Sequence, residues 1–436
     1  MNTEQKVNAS TIVSPLKNEK GIILIAILIL IAILAIIGSL AAITTTTDLK
    51  ISSNYKTGVT AFYAAEAGIN EARSRLRGSP SDNYYAGDPV PYNASWSAYI
   101  LTYGTWTTSS DPDFDANYAN YIPTATQTTN TNIVANSLQS NISYWVNIRH
   151  KKESDLFAAE AYTDNGSGAD DIIYYGYITS TSTTLEQFTT NSPDLSRCAP
   201  IEIIRSYGIS GNSIKGINIQ AKKVLGPPIV AAVYGNSVTI GGTSVEVVGN
   251  DATCGSAKGH SDLVAVGYDT SYIQNGLPAL TSNVAQTKDV GEINCTTYVD
   301  ALEPTKTITL TEEPPNNYTF GNGSNYEIVY CDATQLTTPS DGTLDMQGIT
   351  GYGTLIVKGN VSFSGNLDWY GLIIATGNVE FAGGGSNVQN VHGAVLGSNV
   401  TQLQGSVNIQ YDSCEIEKAN ANNRYLTFRW KDKTFD

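Results

Sequence analysis

Apolar positions fall into three regimes along the chain. From Ile22 to Ile43 they are continuous: every residue is apolar or small, with no charge and no proline. At about 1.5 Å per residue a helix of that length reaches about 33 Å, enough to cross a bilayer core. A lone segment in lipid must satisfy its backbone hydrogen bonds internally, so helix is the conformation that works. From Ile51 the pattern becomes periodic, with Ile51, Tyr55, Val59, Phe62, Ala65, Ile69, Ala72 and Leu76 apolar or small. Steps averaging about 3.6 residues mark one face of a helix. Nothing between Gly21 and Arg77 forces a break, and Gly78-Ser79-Pro80 supplies the stop. Gly38-Ser39 and the threonine cluster Thr44-Thr45-Thr46-Thr47 are the expected bending points.

Beyond Gly78 the third regime is short alternating runs. Residues 143–148, 172–178, 201–207 and 216–224 read as strands. They close a first domain near Leu225, and Gly226-Pro227-Pro228 reads as a linker. Residues 79–130 are turn-rich and aromatic, and the rings are expected to cover the helix rather than stack on sugars. In the last part of the chain short apolar runs at 355–357, 372–374 and 394–396 recur. They are followed by Gly359-Asn360-Val361, Gly377-Asn378-Val379 and Gly397-Ser398-Asn399-Val400. A repeat of about 20 residues with glycine and asparagine at the turns predicts rungs of a β-solenoid, with a compact β-sandwich as the alternative. Residues 229–241 resemble 372–383, which places one rung ahead of an insertion near 250–350. The fold class expected is α+β. A long amino-terminal helix over 22–77 packs on a β-rich head at 78–225, and a mainly-β, solenoid-like domain follows at 226–436.

Composition narrows the setting. With 39 glycines, 26 tyrosines and only 15% charged residues, the chain reads as an exported β-rich protein. Its formal net charge of −15 argues against general affinity for nucleic acid or anionic lipid. Residues 1–21 are weakly basic, with Lys6, Lys17 and Lys20 against Glu4 and Glu19, which suggests a cytoplasmic amino terminus. A plain signal anchor fits that arrangement. So does a secretory signal cut near Ser39-Leu40-Ala41, although its apolar core is long for one.

Catalytic signals are weak. His150, His260 and His392 stand far apart, and neither a G-x-S-x-G nor a phosphate-binding loop is present. Few charges fall between Gly351 and Cys414, so the clustered carboxylates of a polysaccharide-acting enzyme are missing and enzymatic function is disfavoured. No cofactor is expected. Two acidic loops are candidate calcium sites, one with Asp111, Asp113 and Asp115 and one with Asp164 and Asp170; a solvated turn is the default for both. Arg149-His150-Lys151-Lys152 reads as a short exposed basic turn. Of the five cysteines, Cys198, Cys254, Cys295, Cys331 and Cys414, at least one stays unpaired, and Cys254 with Cys295 is the preferred disulfide.

Lys20-Gly21 precedes the apolar run. Thr45-Thr46-Thr47, Asn54-Tyr55, Ala61-Phe62-Tyr63-Ala64-Ala65-Glu66-Ala67-Gly68 and Glu71-Ala72 follow in one register. This segment resembles the amino terminus of the type IV pilin superfamily, specifically the PilX-like minor pilins. The resemblance implies a prepilin leader at 1–21, prepilin peptidase cleavage at Lys20-Gly21-Ile22 and N-methylation of Ile22. It implies storage as a single-pass inner-membrane protein, then assembly near the tip of an extracellular pilus with other minor and major pilins on an inner-membrane platform. The head would then serve adhesion or dock a tip adhesin. One departure is Ala26, where most pilins carry a glutamate at the fifth mature position; a subunit without that carboxylate suits the filament tip. A tip pseudopilin of a type II secretion system and a membrane-anchored, polysaccharide-acting β-solenoid enzyme are the alternatives.

Overall fold

The computed structural model describes residues 19–78, 85–88, 93–102, 130–134, 138, 141–156, 160–168, 170–337, 341–382 and 386–433. The chain divides into two compact units, Met1–Thr60 and Ala61–Asp436. In the first unit the described residues form one helix, part of the uninterrupted element Glu19–Arg75. The expected bending points carry no break. Ser39 Oγ donates to the Ala35 carbonyl at 2.8 Å, Thr45 Oγ1 to that of Ala41 at 2.8 Å and Thr47 Oγ1 to that of Ile43 at 2.8 Å. Hydroxyls satisfied within their own helix make no polar demand on an apolar surrounding. Ile51 and Tyr55, expected on a buried face, are 61% and 75% exposed.

The second unit begins where the helix acquires a buried face, at Ala61, Ala64, Ala65, Ile69, Ala72 and Leu76. This face packs on a six-stranded sheet in the spatial order Asn130–Val134, Ser97–Leu101, Ile142–His150, Glu202–Ser210, Ser213–Lys223, Tyr425–Lys433. The first two strands are parallel and the rest antiparallel. Trp96, from the aromatic stretch, is buried in the same cluster as the helix residues; most of 79–130 lies outside the described residues. A small sheet of Tyr174–Gly176, Glu186–Phe188 and Cys198–Pro200 flanks it.

The last strand departs from the predicted division at 226. Tyr425–Lys433 pairs antiparallel with Ser213–Lys223, Tyr425 opposite Lys223 and Lys433 opposite Gly216. Everything from the linker to Arg424 is therefore inserted between two neighbouring strands of the head sheet, and the carboxy-terminal strand belongs to the head.

The inserted part is a stack of parallel strands whose chain order is permuted. Along one side, register runs from Leu355 to Ile373, from Ile373 to Val395, from Val395 to Val233 and from Val233 to Val266. The chain thus enters the stack at its middle with Ala231–Ile240 and winds outward through Val264–Gln274 to Thr287–Asp289. It then crosses to the opposite end by way of helix Cys295–Leu302, which packs its buried Cys295, Val299 and Leu302 on the core along strand Asn360–Ala382. From Ile308–Leu310 it winds back, and Ser406–Gln410 closes against Val245–Val248. Residues 250–350, expected as an insertion, instead supply strands of the stack itself. On a second side, Val245 faces Val407 and Val248 faces Gln410, so two halves of the chain meet at a seam.

Glycines allow the rungs to come this close. Gly353, Gly371 and Gly393 lie in register with positive φ of 134°, 126° and 147°. A Cβ on Gly393 would fall 1.8 Å from the Gly371 carbonyl oxygen. Between the rungs the core is dry, with Trp369, Phe363 and Phe381 fully buried and the two phenylalanine rings stacked at 5.1 Å. Each such side chain contributes about 1.5–3 kcal/mol on burial.

The disulfide also differs from expectation. Cys254 pairs with Cys414, Cα atoms 6.2 Å apart, while Cys295, Cys198 and Cys331 are reduced and buried. Cys295 is drawn into the stack core by its helix, away from Cys254. Cys254 and Cys414 flank the seam from its two sides, which no spacing in the sequence announces.

Candidate functional site: the apolar rod and its small-residue block

The rod owes its character to uniform burial in nothing of its own chain. The helical segment Gly21–Arg75 contains an 18-residue window of mean hydropathy 3.3, none of it buried by the protein. Ile22 is 64% exposed, Leu30 57% and Ile43 61%. A helix apolar on every side requires an environment apolar on every side, either lipid or other helices. The predicted junction Lys20-Gly21-Ile22 falls in the first turn of this helix. A Cβ at Gly21 would meet nothing within 4 Å, so packing within the chain does not demand glycine there.

The Ala64-Ala65-Glu66-Ala67-Gly68 block behaves differently. At Gly68 a Cβ would come 2.3 Å from Ser206 Oγ and 2.8 Å from Val146 Cγ2. On the facing strand, a Cβ at Gly208 would sit 1.9 Å from the Ala61 carbonyl oxygen and 2.4 Å from Ala65 N. Small residues on both partners let the helix backbone lie directly on the sheet. The Arg73 guanidinium then donates to the Tyr425 carbonyl at 2.6 and 2.9 Å, and Arg77 donates to that of Asn422 at 2.9 Å. The Ala64–Gly68 block is thus where the helix residues of the second unit lie on its sheet.

The remaining candidate residues are placed as follows. Asp111, Asp113 and Asp115 lie outside the described residues. Asp164 Oδ1 accepts from Gly166 N at 3.1 Å and Thr189 Oγ1 at 2.9 Å, as a turn-stabilising carboxylate does. Asp170 accepts from Ser154 N at 3.0 Å and pairs with Lys152 at 3.6 Å. Among the described residues no group of three ligating side chains could hold a metal ion. The basic cluster is not an exposed turn. Arg149 makes a two-pronged pair with Asp155 at 2.5 Å, and Lys151, fully buried, binds Glu160. His150 is buried between Asp88 at 3.2 Å and Glu202 at 3.1 Å. Burial alone would strip its proton, but Glu202 and Asp88 outweigh that and raise it to about 9. With its charges matched internally, the cluster offers no phosphate surface. His260 hydrogen-bonds Ser413 Oγ at 2.7 Å, and His392 stacks on Tyr370 at 4.7 Å.

The model of the family described as PilX N-terminal matches residues 20–70, which covers the rod and its small-residue block and none of the sheet. No curated protein matches the chain. Among solved structures, the crystal structure of the competence-associated pilin ComZ from Thermus thermophilus is similar at 9% identity. The likeness covers 87% of this chain and 98% of that one, with a TM-score of 0.22. The family match falls on the all-round apolar helix of the first unit and on the small-residue block that packs on the sheet within the second. Residues 20–70 are thus a PilX-like, type IV pilin amino-terminal segment.

Proposed function

We propose that this chain is a minor pilin of a type IV pilus, stored in the inner membrane and assembled near the filament tip. The observation that carries the reading is the rod from Ile22 to Ile43, apolar all round and covered by nothing in its own chain. Lipid covers such a rod before assembly, and sister helices cover it afterwards. Prepilin peptidase cuts between Gly21 and Ile22, and the open space around Gly21 supports recognition rather than packing as the reason for glycine. Ala26 removes the carboxylate that would accept a neighbour's free amine inside the bundle. A subunit without it is suited to the position ahead of which nothing sits. The parallel stack reads as a β-solenoid, a rigid scaffold that displays loops without chemistry of its own, for adhesion or for docking a tip protein.

The test is Gly21→Ala in the native host. The variant accumulates uncut in the membrane and is missing from sheared filaments, while the thermal stability of its head is unchanged. Recovery of Gly21→Ala in filaments at the wild-type level defeats the reading. A tip pseudopilin of a type II secretion system is the second reading, favoured by the same Ala26. It predicts loss of protein secretion, rather than of surface pili, when the chain is deleted.

A further inference from the structure

A cleft of about 600 Å³ opens within the second unit, where one rim of the head sheet meets the parallel stack. His150, Glu202, Lys223 and Tyr425 line its head side, at adjoining strand ends of the same sheet. Tyr326 and Glu417 line the stack side. The volume is that of a site for a small molecule.

Every charged side chain named on the cleft wall sits in an ion pair except Lys223. Asp88 and Glu202 hold the His150 imidazolium, and Glu417 pairs with Lys258 at 2.6 Å. Lys418 pairs with Glu415 at 2.7 Å, and the Tyr326 hydroxyl donates to the same carboxylate. Lys223 has no carboxylate within ion-pair distance among the described residues; its Nζ lies 5.6 Å from the centre of the Tyr425 ring. Burial pushes this ammonium down to about 8, with Glu417 and Glu202 pulling weakly the other way. The hydroxyls of Tyr425 and Tyr85, both on the cleft wall, have no hydrogen-bond partner among the described residues. A half-buried lysine without an ion pair and two phenols are donors that a ligand's acceptors could meet.

We propose that the cleft is a binding site for an acidic sugar, a uronic-acid unit whose carboxylate meets Lys223 Nζ and whose ring hydroxyls meet Tyr85 and Tyr425. Lys223 is the cleft cation without an ion pair among the described residues, and the two phenol hydroxyls beside it suit the hydroxyl-rich rim of a pyranose ring. This role is independent of whether the chain assembles into a pilus, since it requires only the folded second unit.

The experiment is a thermal unfolding series on the full chain in detergent micelles, with D-galacturonate and D-glucuronate against their neutral parents, D-galactose and D-glucose. At saturating concentration at least one uronate raises the unfolding midpoint by about 2 °C or more, and its neutral parent does not. Lys223→Met abolishes that rise, and Tyr425→Phe weakens it. Should Lys223→Met fail to fold, Lys223→Gln takes its place. Equal shifts with acid and neutral sugar, or no shift with any of them, overturn the proposal. N-acetyl-alanine serves as a probe for a peptide carboxyl terminus. A rise with that compound and with neither uronate replaces the sugar by a peptide and overturns it too.

Discussion

Glycine plays opposite parts at three positions of this chain. At Gly208 a methyl group would drive into the helix backbone at Ala61, and at Gly68 it would strike Ser206 and Val146. The Gly208 contact is with backbone and cannot relax without lifting the helix off the sheet, whereas side chains alone surround Gly68. Gly208→Ala is therefore expected to cost about 1–3 kcal/mol or more, read as a lowered unfolding midpoint of the second unit. Gly21→Ala has no such neighbour and leaves the midpoint where it was. Equal stability of the wild type and Gly208→Ala would contradict the close helix–sheet contact. His150 gives a second residue-scale expectation. Its folded value of about 9 lies above its ordinary value of about 6.5. The stability it contributes is complete below about pH 6.5 and is lost as pH rises through about 9. Lys223 has the opposite sign, because its depressed folded value of about 8 relieves a cost as pH climbs beyond that point. The clean window is pH 6.5 to 8, where stability falls by about 2 kcal/mol. A melting series across that window checks it, and His150→Gln flattens the slope. A flat wild-type profile would remove the charged His150 pair from the account.

At the scale of elements, what was legible in the sequence was whatever had a local signal. The rod, three strands of the head sheet, the strand Tyr174–Gly176 of the small sheet and the glycine–asparagine turns of three rungs all carry periodicity or turn chemistry within a few residues. The seam had none. Val233 meets Val395 and Val245 meets Val407 across most of the inserted part, and parallel pairing between distant strands leaves no mark on either segment. For the same reason the disulfide was misassigned: only the seam brings Cys254 to Cys414. Several polar contacts accompany it. Ser413 Oγ donates to Asp251 Oδ2 at 2.6 Å, and Gln410 Nε2 donates to the Asn250 carbonyl at 2.6 Å. Alkylation of the unfolded, unreduced chain is expected to label Cys198, Cys295 and Cys331 only, with a peptide cross-linked through Cys254 and Cys414 in the digest. Replacing Cys254 and Cys414 together by serine is expected to lower stability by about 2–5 kcal/mol. Labelling of Cys254 without reductant would disprove the seam staple.

Over the whole molecule, the α+β class and the order of rod, head and stack were readable, but not the return of the chain to its head. Tyr425–Lys433 has charged and aromatic residues that suit an edge strand, yet nothing in them names Ser213–Lys223 as the neighbour. The consequence is that head and stack share both of their connections. A chain ending at Arg424 keeps every strand of the stack and loses the edge strand of the head. It is expected to show a weakened head, measured as faster amide exchange in Ser213–Lys223 with protection of Asn360–Ala382 retained. Unchanged exchange in Ser213–Lys223 would place the last strand elsewhere.

The proposed function rests on the rod, and the terminal mass of the protein tests it. Intact mass and amino-terminal sequencing of the chain recovered from sheared surface filaments are expected to show a start at Ile22 carrying one added methyl group. A chain that retains residues 1–21, begins beyond the apolar run, or is never recovered with filaments contradicts the account.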